Sequence, residues 1–264
     1  GSTNPVLIPQ PTVLYVSPNT NGALRFTATE GESGVARIVV TVTDGLSETV
    51  RSFQVTVSAL PARTYALIAD ASRLLRVVDV TDPAHPQLTS TYNGNGVGLD
   101  VAALGQYAFV AAGYDGLRVL DISYNPPVEV AVYATLWPVR GITIAGTRAY
   151  LANDMAGLQV LDISNPTCPR FLGRYDTPGY AASVAVSGTL AYVADEGAGL
   201  RIIDVSDPSM PTEIGAYLPP GGLANDVVIS GSLAYVVGYG LHVVDVSDPQ
   251  HPQTVRNIIT PPGF

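Results

Sequence analysis

One ten-residue phrase recurs five times and restricts this chain to a small set of folds: LLRVVDVTDP at 74–83, GLRVLDISYN at 116–125, GLQVLDISNP at 157–166, GLRIIDVSDP at 199–208 and GLHVVDVSDP at 240–249. An aromatic precedes each copy, at Tyr65, Tyr107, Tyr150, Tyr192 and Tyr235, with spacings of 42, 43, 42 and 43 residues. A near-constant period of this length marks one supersecondary unit stacked on its own copies.

The fourth copy shows what a unit contains. ASVAVSG at 182–188 and AYVAD at 191–195 are β-rich runs joined through Ser-Gly, a hairpin-closing turn. GLRIIDV at 199–205, the turn SDPSMP at 206–211 and TEIGAY at 212–217 complete it. Four short strands per repeat, without helical periodicity, predict the blade of a β-propeller. A solenoid or parallel β-helix fits less well, because its rungs are shorter and lack tight hairpin turns. The expected fold is all-β: a propeller of about five four-stranded blades over 62–264, behind a small β-sandwich-like segment over 1–61.

The pattern L-[RQH]-[VI]-[VIL]-D-[VI]-[ST], with Asp-Pro or Asn-Pro after it in most copies and Tyr-[AVL] before it, resembles the LVIVD repeat of bacterial and archaeal cell-surface proteins. The resemblance covers about residues 64–260. It implies a β-propeller on a secreted or surface-anchored chain, and it brings no general catalytic motif.

Residues 5–60 lack the repeat. They alternate apolar with polar residues in TVLYVS at 12–17, ALRFTATE at 23–30, VARIVVTVTD at 35–44 and SFQVTVSAL at 52–60, a pattern suited to a sheet with one solvated face. VTVTDG followed by SFQVTVS resembles the last hairpin of a cadherin-like or immunoglobulin-like domain. A full sandwich of that kind needs roughly 100 residues, so the segment reads as part of one or as a smaller sheet. Gly1-Ser2 reads as a cleavage scar on an excised fragment. At the other end, ITPPGF at 259–264 matches the loop DTPGYA at 176–181 that leads into an inner strand. Ring closure stays open on this reading: either SFQVTVSAL lends its end to the first blade, or further blades follow.

Arginine supplies all 13 positive charges and lysine is absent, which removes Schiff-base chemistry and a phosphate-loop lysine. The net charge of −9 disfavours nucleic acid, whose phosphates require clustered cations. Cys168 is the only cysteine, so neither an internal disulfide nor a thiolate metal cluster can form. No apolar run reaches the 18 residues of a membrane span. No cofactor and no metal are expected.

Asp79, Asp121, Asp162, Asp204 and Asp245 end an apolar strand in every copy and precede Thr or Ser. There a carboxylate accepts backbone N–H groups of the following turn, which is the reading favoured over a ring of ligands. Asp82, Asp207 and Asp248 lie in Asp-Pro turns and read the same way. The three histidines, His85, His242 and His251, are expected at the surface or in turns, and no G-x-S-x-G nucleophile turn is present.

A site must break the symmetry of the repeats. The segments 92–100, 133–141, 175–183 and 217–226, with the turns at 113–116, 153–157, 195–199 and 238–240, are expected to share one face. That face would gather Trp137, the only tryptophan, with Tyr114, Tyr180 and Tyr239, and with Asp100, Asp115, Asp154, Asp195, Glu196, Asp226 and Arg140. Aromatics beside carboxylates suit a sugar ring, a cationic peptide or a bound cation. Tyr92, Tyr133, Tyr175 and Tyr217 recur in register and are expected to pack between blades instead. The functional expectation is a non-enzymatic, extracellular or cell-surface module for adhesion, scaffolding or recognition of a protein or glycan, without membrane insertion. The alternatives are a structural subunit of a layer or filament self-associating through β edges, and a carboxylate hydrolase or lyase pairing Asp115 with Asp154.

Overall fold

The computed structural model describes residues 63–259 and four strands before them, and the chain divides into two compact units between Arg63 and Thr64. In the first unit β1 (Thr12–Leu14) pairs antiparallel with β2 (Ala23–Arg25), and β3 (Gly34–Thr43) with β4 (Glu48–Val57). These strands occupy four of the expected runs. Residues 52–57 of SFQVTVSAL are thus hairpin partners of β3; residues 58–60 lie outside the described residues.

The second unit is five antiparallel sheets in chain order. Sheet 1 has three strands, β5 (Tyr65–Asp70), β6 (Leu74–Asp79) and β7 (Gln87–Tyr92). Sheet 2 has four: β8 (Asp100–Leu104), β9 (Tyr107–Ala111), β10 (Leu117–Asp121) and β11 (Val128–Tyr133). Sheet 3 comprises β12 (Gly141–Ala145), β13 (Arg148–Ala152), β14 (Leu158–Asp162) and β15 (Arg170–Tyr175). Sheet 4 is β16 (Ser183–Ser187), β17 (Leu190–Ala194), β18 (Leu200–Asp204) and β19 (Thr212–Tyr217). Sheet 5 is β20 (Asp226–Ser230), β21 (Leu233–Val237), β22 (Gly240–Asp245) and β23 (Gln253–Ile259). No helix occurs among the described residues. Five consecutive up-and-down sheets are the blades that the repeat predicts; among the described residues the first shows three strands where four were expected.

The inner strands hold the succession together. β8 packs on β5, β12 on β8, β16 on β12 and β20 on β16. Side chains tie the neighbours: Asp100 accepts the Ile142 amide at 2.8 Å, the Thr143 hydroxyl donates to the Val184 carbonyl at 2.6 Å, and Ser183 donates to Asp226 at 2.6 Å.

The core lies between sheets. Strand residues alternate faces, so Phe109, Leu117 and Val119 of sheet 2 meet Ile142, Leu151 and Leu161 of sheet 3. Equivalent clusters join sheets 1 and 2, 3 and 4, and 4 and 5. A bulge falls at one place in every repeat, Val77/Val78, Val119/Leu120, Val160/Leu161, Ile202/Ile203 and Val243/Val244, and it sharpens the twist of the outer strand.

Glycine opens the third strand of sheets 2 to 4 for a definite reason. At Gly116, Gly157 and Gly199 φ is 78, 68 and 79°, and an added Cβ would collide with the carbonyl of Tyr133, Tyr175 or Tyr217. In sheet 1 Leu74 takes this place with φ 65° and is fully buried. Its neighbours give way: Gly94 and Gly98 lie directly against Leu74, where any Cβ would clash.

The repeated aspartates do what their position predicts. The Oδ1 atoms of Asp79, Asp121, Asp162, Asp204 and Asp245 accept the backbone N–H two residues on, at 2.8–2.9 Å. The amide and hydroxyl of Ser164, Ser206 and Ser247 hold Asp162, Asp204 and Asp245 below the ordinary carboxylate range. Burial pushes Asp121 up, but Ser123 and Gln106 outweigh it. Asp82, Asp207 and Asp248 accept turn amides in the same way.

The in-register tyrosines do pack between blades, and three of them link neighbouring outer strands. Tyr92 donates to Glu129 at 3.2 Å, Tyr175 bonds Glu213, and Tyr217 meets Thr254 at 2.8 Å. Arg118 and Arg201 close the same groups, at 2.6 Å to Glu129 and at 2.5 and 2.9 Å to Glu213. Tyr133 is covered by the cluster between sheets 2 and 3.

Candidate functional site

The turns between second and third strands do share a face with the loops leading into the next inner strands, because backbone bridges join them. Gly113 pairs with Val139, Asp154 with Ala181, and Glu196 with Ala224. Asp154 and Glu196 reach this geometry with φ of 45 and 42°, a left-handed conformation uncommon for side-chain-bearing residues. The second and third bridges therefore each fix one candidate carboxylate, Asp154 and Glu196, at a seam between two sheets.

Arg140 stands among these acids. Its Nη1 lies 2.5 Å from Glu196 Oε1 and 3.6 Å from Asp154 Oδ2, so one loop and two turns from two successive repeats converge on one guanidinium. All three side chains are partly exposed, and the two carboxylates outnumber the guanidinium, so the cluster stays open to solvent with an excess of negative charge.

The other acids serve local structure. Asp115 lies 3.4 Å from Arg118. Asp226 accepts the Ser183 hydroxyl and the Val227 amide, and Asp100 holds the next inner strand. Asp195 is wholly buried, accepting the Thr177 hydroxyl at 2.6 Å and the Gly179 amide at 2.8 Å. Burial pushes its carboxyl up against those two hydrogen bonds. It shapes the loop from beneath and presents no atom to the surface.

The aromatics are the exposed component. Tyr114 is 81% accessible, and Tyr180, Tyr239 and Trp137 are also exposed. Trp137 is held by its backbone: its carbonyl accepts the Thr135 hydroxyl at 2.7 Å and the buried Asn153 carboxamide at 2.5 Å. Gln159 in turn braces the Asn153 oxygen at 3.0 Å. Asn153 and Gln159 were not singled out from sequence. Gln159 standing where other copies have Arg or His was the available signal.

The histidines divide. His85 and His251 are exposed turn residues beside Asp82 and Asp248, at 2.8 and 3.0 Å. His242 corrects the expectation of a surface or turn position: it is buried, because the alternation of β22 turns it toward sheet 4. Its Nδ1 is 2.8 Å from Asn257 Oδ1. Among the described residues no three His, Cys, Asp or Glu side chains converge as a metal site.

The LVIVD repeat family model matches five times, at residues 63–94, 95–135, 138–177, 178–218 and 221–260. The chain belongs to the LVIVD repeat family. No curated protein matches it. Among solved structures, the LVIVD chain is similar to a functionally unknown protein from Desulfotomaculum acetoxidans, with 17% identity, 86% of this chain and 78% of that one covered, and a TM-score of 0.62. It is also similar to the β-propeller domain of Myceliophteria thermophila Cps50 (Swd1), at 14% identity, 75 and 70% coverage and a TM-score of 0.61. A third likeness is the computationally designed Ika8 protein, at 10% identity and a TM-score of 0.57 over 76% of this chain. The LVIVD chain spans 60% of the Ika8 chain. At these identities the likeness establishes a propeller fold and nothing about activity.

Proposed function

We propose that the LVIVD chain is a non-enzymatic recognition module on the outside of a cell, and that its loop face binds a protein or glycan. The supporting observation is the contrast within that face: Trp137, Tyr114, Tyr180 and Tyr239 are exposed, while Arg140 is neutralised by Asp154 and Glu196. Exposed aromatics offer stacking surface, and the backbone brace on Trp137 lowers the cost of ordering it. Asp115, Asp226 and the Arg140 cluster set polarity around them, favouring hydroxyl-rich or cationic groups over phosphate.

A hydrolase or lyase reading is weaker on the same geometry. Acid catalysis needs an accessible carboxyl held protonated, and the acid pushed upward by burial, Asp195, has no accessible surface. The cell-surface assignment rests on the resemblance to the LVIVD repeat of cell-surface proteins, and the likeness of VTVTDG followed by SFQVTVS to a cadherin-like or immunoglobulin-like hairpin supports the same reading.

The test is binding to glycan and peptide arrays, followed by calorimetric titration of wild type and variants with any captured ligand. Wild-type binding that falls at least tenfold in Trp137→Ala and Tyr180→Ala, with melting unchanged, supports the reading. Binding unaffected by both substitutions overturns the loop-face assignment, and turnover of a captured glycan overturns the non-enzymatic one.

A further inference from the structure

The loop face is apolar in a way that aromatic stacking alone does not explain. Leu136 is 91% exposed, Tyr180 47%, Met155 46% and Trp137 40%. Leu136 and Trp137 are neighbours in the chain, and the Trp137 carbonyl is held by Asn153, which opens the turn carrying Asp154 and Met155. Tyr180 precedes Ala181, whose backbone is bridged to Asp154. Four large apolar side chains are thus carried on backbone anchored at or beside one carboxylate.

Charge on this face is one-sided. Its loops and turns carry one cation, Arg140, against seven acids, of which Asp195 alone is buried. Arg140 does not use up the acids beside it. Its close contact is with Oε1 of Glu196 at 2.5 Å, while Oδ2 of Asp154 stands at 3.6 Å, beyond hydrogen-bond reach. Oδ1 of Asp154 accepts the Met155 amide at 2.9 Å, so Oδ2 is the oxygen left for another partner.

These two features select one class of ligand. A sugar ring stacks on aromatic faces, but seating its hydroxyls on Leu136 and Met155 would strip them of water without replacing the hydrogen bonds. A phosphate or an acidic peptide would meet the excess of carboxylates. Exposed aliphatic, aromatic and methionine side chains around a charged centre are instead the makeup of a protein-binding surface.

We propose that the loop face docks an apolar, basic segment of another protein: one Lys or Arg of the partner sits on Asp154 and Glu196, and its flanking apolar side chains pack on Leu136, Trp137, Met155 and Tyr180. The partner class rests on the recognition reading of that face and narrows it to protein. The charge excess steers the encounter, and burial of the apolar side chains holds the complex.

The test uses synthetic peptides of equal length as probes, in apolar-basic, apolar-acidic, apolar-neutral and polar-basic sets, beside neutral oligosaccharides, with binding read by calorimetry. Apolar-basic peptides should bind about tenfold more tightly than the other three sets. Leu136→Ser should weaken them by about fivefold or more. The double variant Asp154→Asn/Glu196→Gln leaves Arg140 uncompensated and should turn the preference toward apolar-acidic peptides. Apolar-acidic or apolar-neutral peptides that bind as tightly as apolar-basic ones, or binding indifferent to Leu136→Ser, overturn the inference. Oligosaccharides bound in place of peptides, with loss in Trp137→Ala but none in Leu136→Ser, overturn it and leave the loop-face reading standing. Binding of no probe, or binding indifferent to Trp137→Ala as well, overturns both. Should the double variant melt early, salt decides on wild-type protein: affinity for apolar-basic peptides must fall as ionic strength rises, and an affinity that does not fall overturns the inference.

Discussion

Replacing Gly157 by Ala tests whether the close approach at the start of each third strand governs stability. At φ 68° an L-residue costs about 1–2 kcal/mol. Against this, losing glycine's freedom in the unfolded chain returns about 0.4–1 kcal/mol. The added Cβ would collide with the Tyr175 carbonyl and stand 2.5 Å from the Thr177 amide nitrogen. Both obstacles are backbone, so the loop carrying the buried Thr177–Asp195 bond must move. Overpacking of this kind adds about 1–3 kcal/mol. Gly188 is the control: its φ is 60° and nothing lies within 4 Å of the added Cβ, leaving about 1 kcal/mol from the backbone alone. Urea titrations should therefore put Gly157→Ala about 1–3 kcal/mol below Gly188→Ala at equal m-values. Two variants agreeing within about 0.5 kcal/mol would refute the argument, since only the steric part separates them.

Further outcomes follow from other parts of the fold. Leu74→Gly restores the residue found at this place in other copies yet should destabilise by about 1–3 kcal/mol, because the emptied volume of a buried leucine outweighs the relief of a left-handed backbone; thermal melting reads it. Arg201→Met should cost about 1.5–3 kcal/mol by stranding the half-buried Glu213, whereas His85→Ala, in an exposed pair, should change stability by under about 0.5 kcal/mol. Acid should weaken the fold: Asp162, Asp204 and Asp245 titrate lower folded than unfolded, so their contribution is complete above about pH 4 and is lost as pH falls through their folded values. Asp70, held at about 2 chiefly by Ser72, extends that loss to lower pH, while Asp195 acts with the opposite sign. Urea midpoints between pH 6 and 2.5 should fall, and more shallowly in the double variant Asp162→Asn/Asp204→Asn.

What recurs was legible in the sequence. The phrase ending at Asp79, Asp121, Asp162, Asp204 and Asp245 announces both a strand and the turn its carboxylate braces, and the tyrosines at 92, 133, 175 and 217 announce a seam, because each copy repeats the same local problem. What joins different copies was not legible. Arg140 and Glu196 are 56 residues apart, and pairing them requires knowing that Glu196 is bridged to Ala224 at the face where Arg140 emerges. Asp195 and Glu196 are adjacent and similar, yet one is buried and the other open, since a turn sends successive side chains to opposite sides. His242 stands in an arginine's place, and only its strand parity decides that it faces inward. Leu74 stands where other copies have glycine, and the approach of Gly94 and Gly98 that accommodates it is visible only in three dimensions.

Among the described residues the buried apolar interior is divided among the seams between successive sheets, and this sets how the protein comes apart. Where each member of an array is held mainly by its neighbours, stability is approximately a sum of neighbour terms. Among the described residues, sheets 2, 3 and 4 carry a buried seam on either side and sheets 1 and 5 carry one each. Opening should therefore begin at the two ends and travel inward, with amide protons of β13 and β14 the last to exchange and those of β5 and β23 among the first. Cooperativity is then a property of the array's length: each added or removed repeat alters the barrier to unravelling more than any single side chain does.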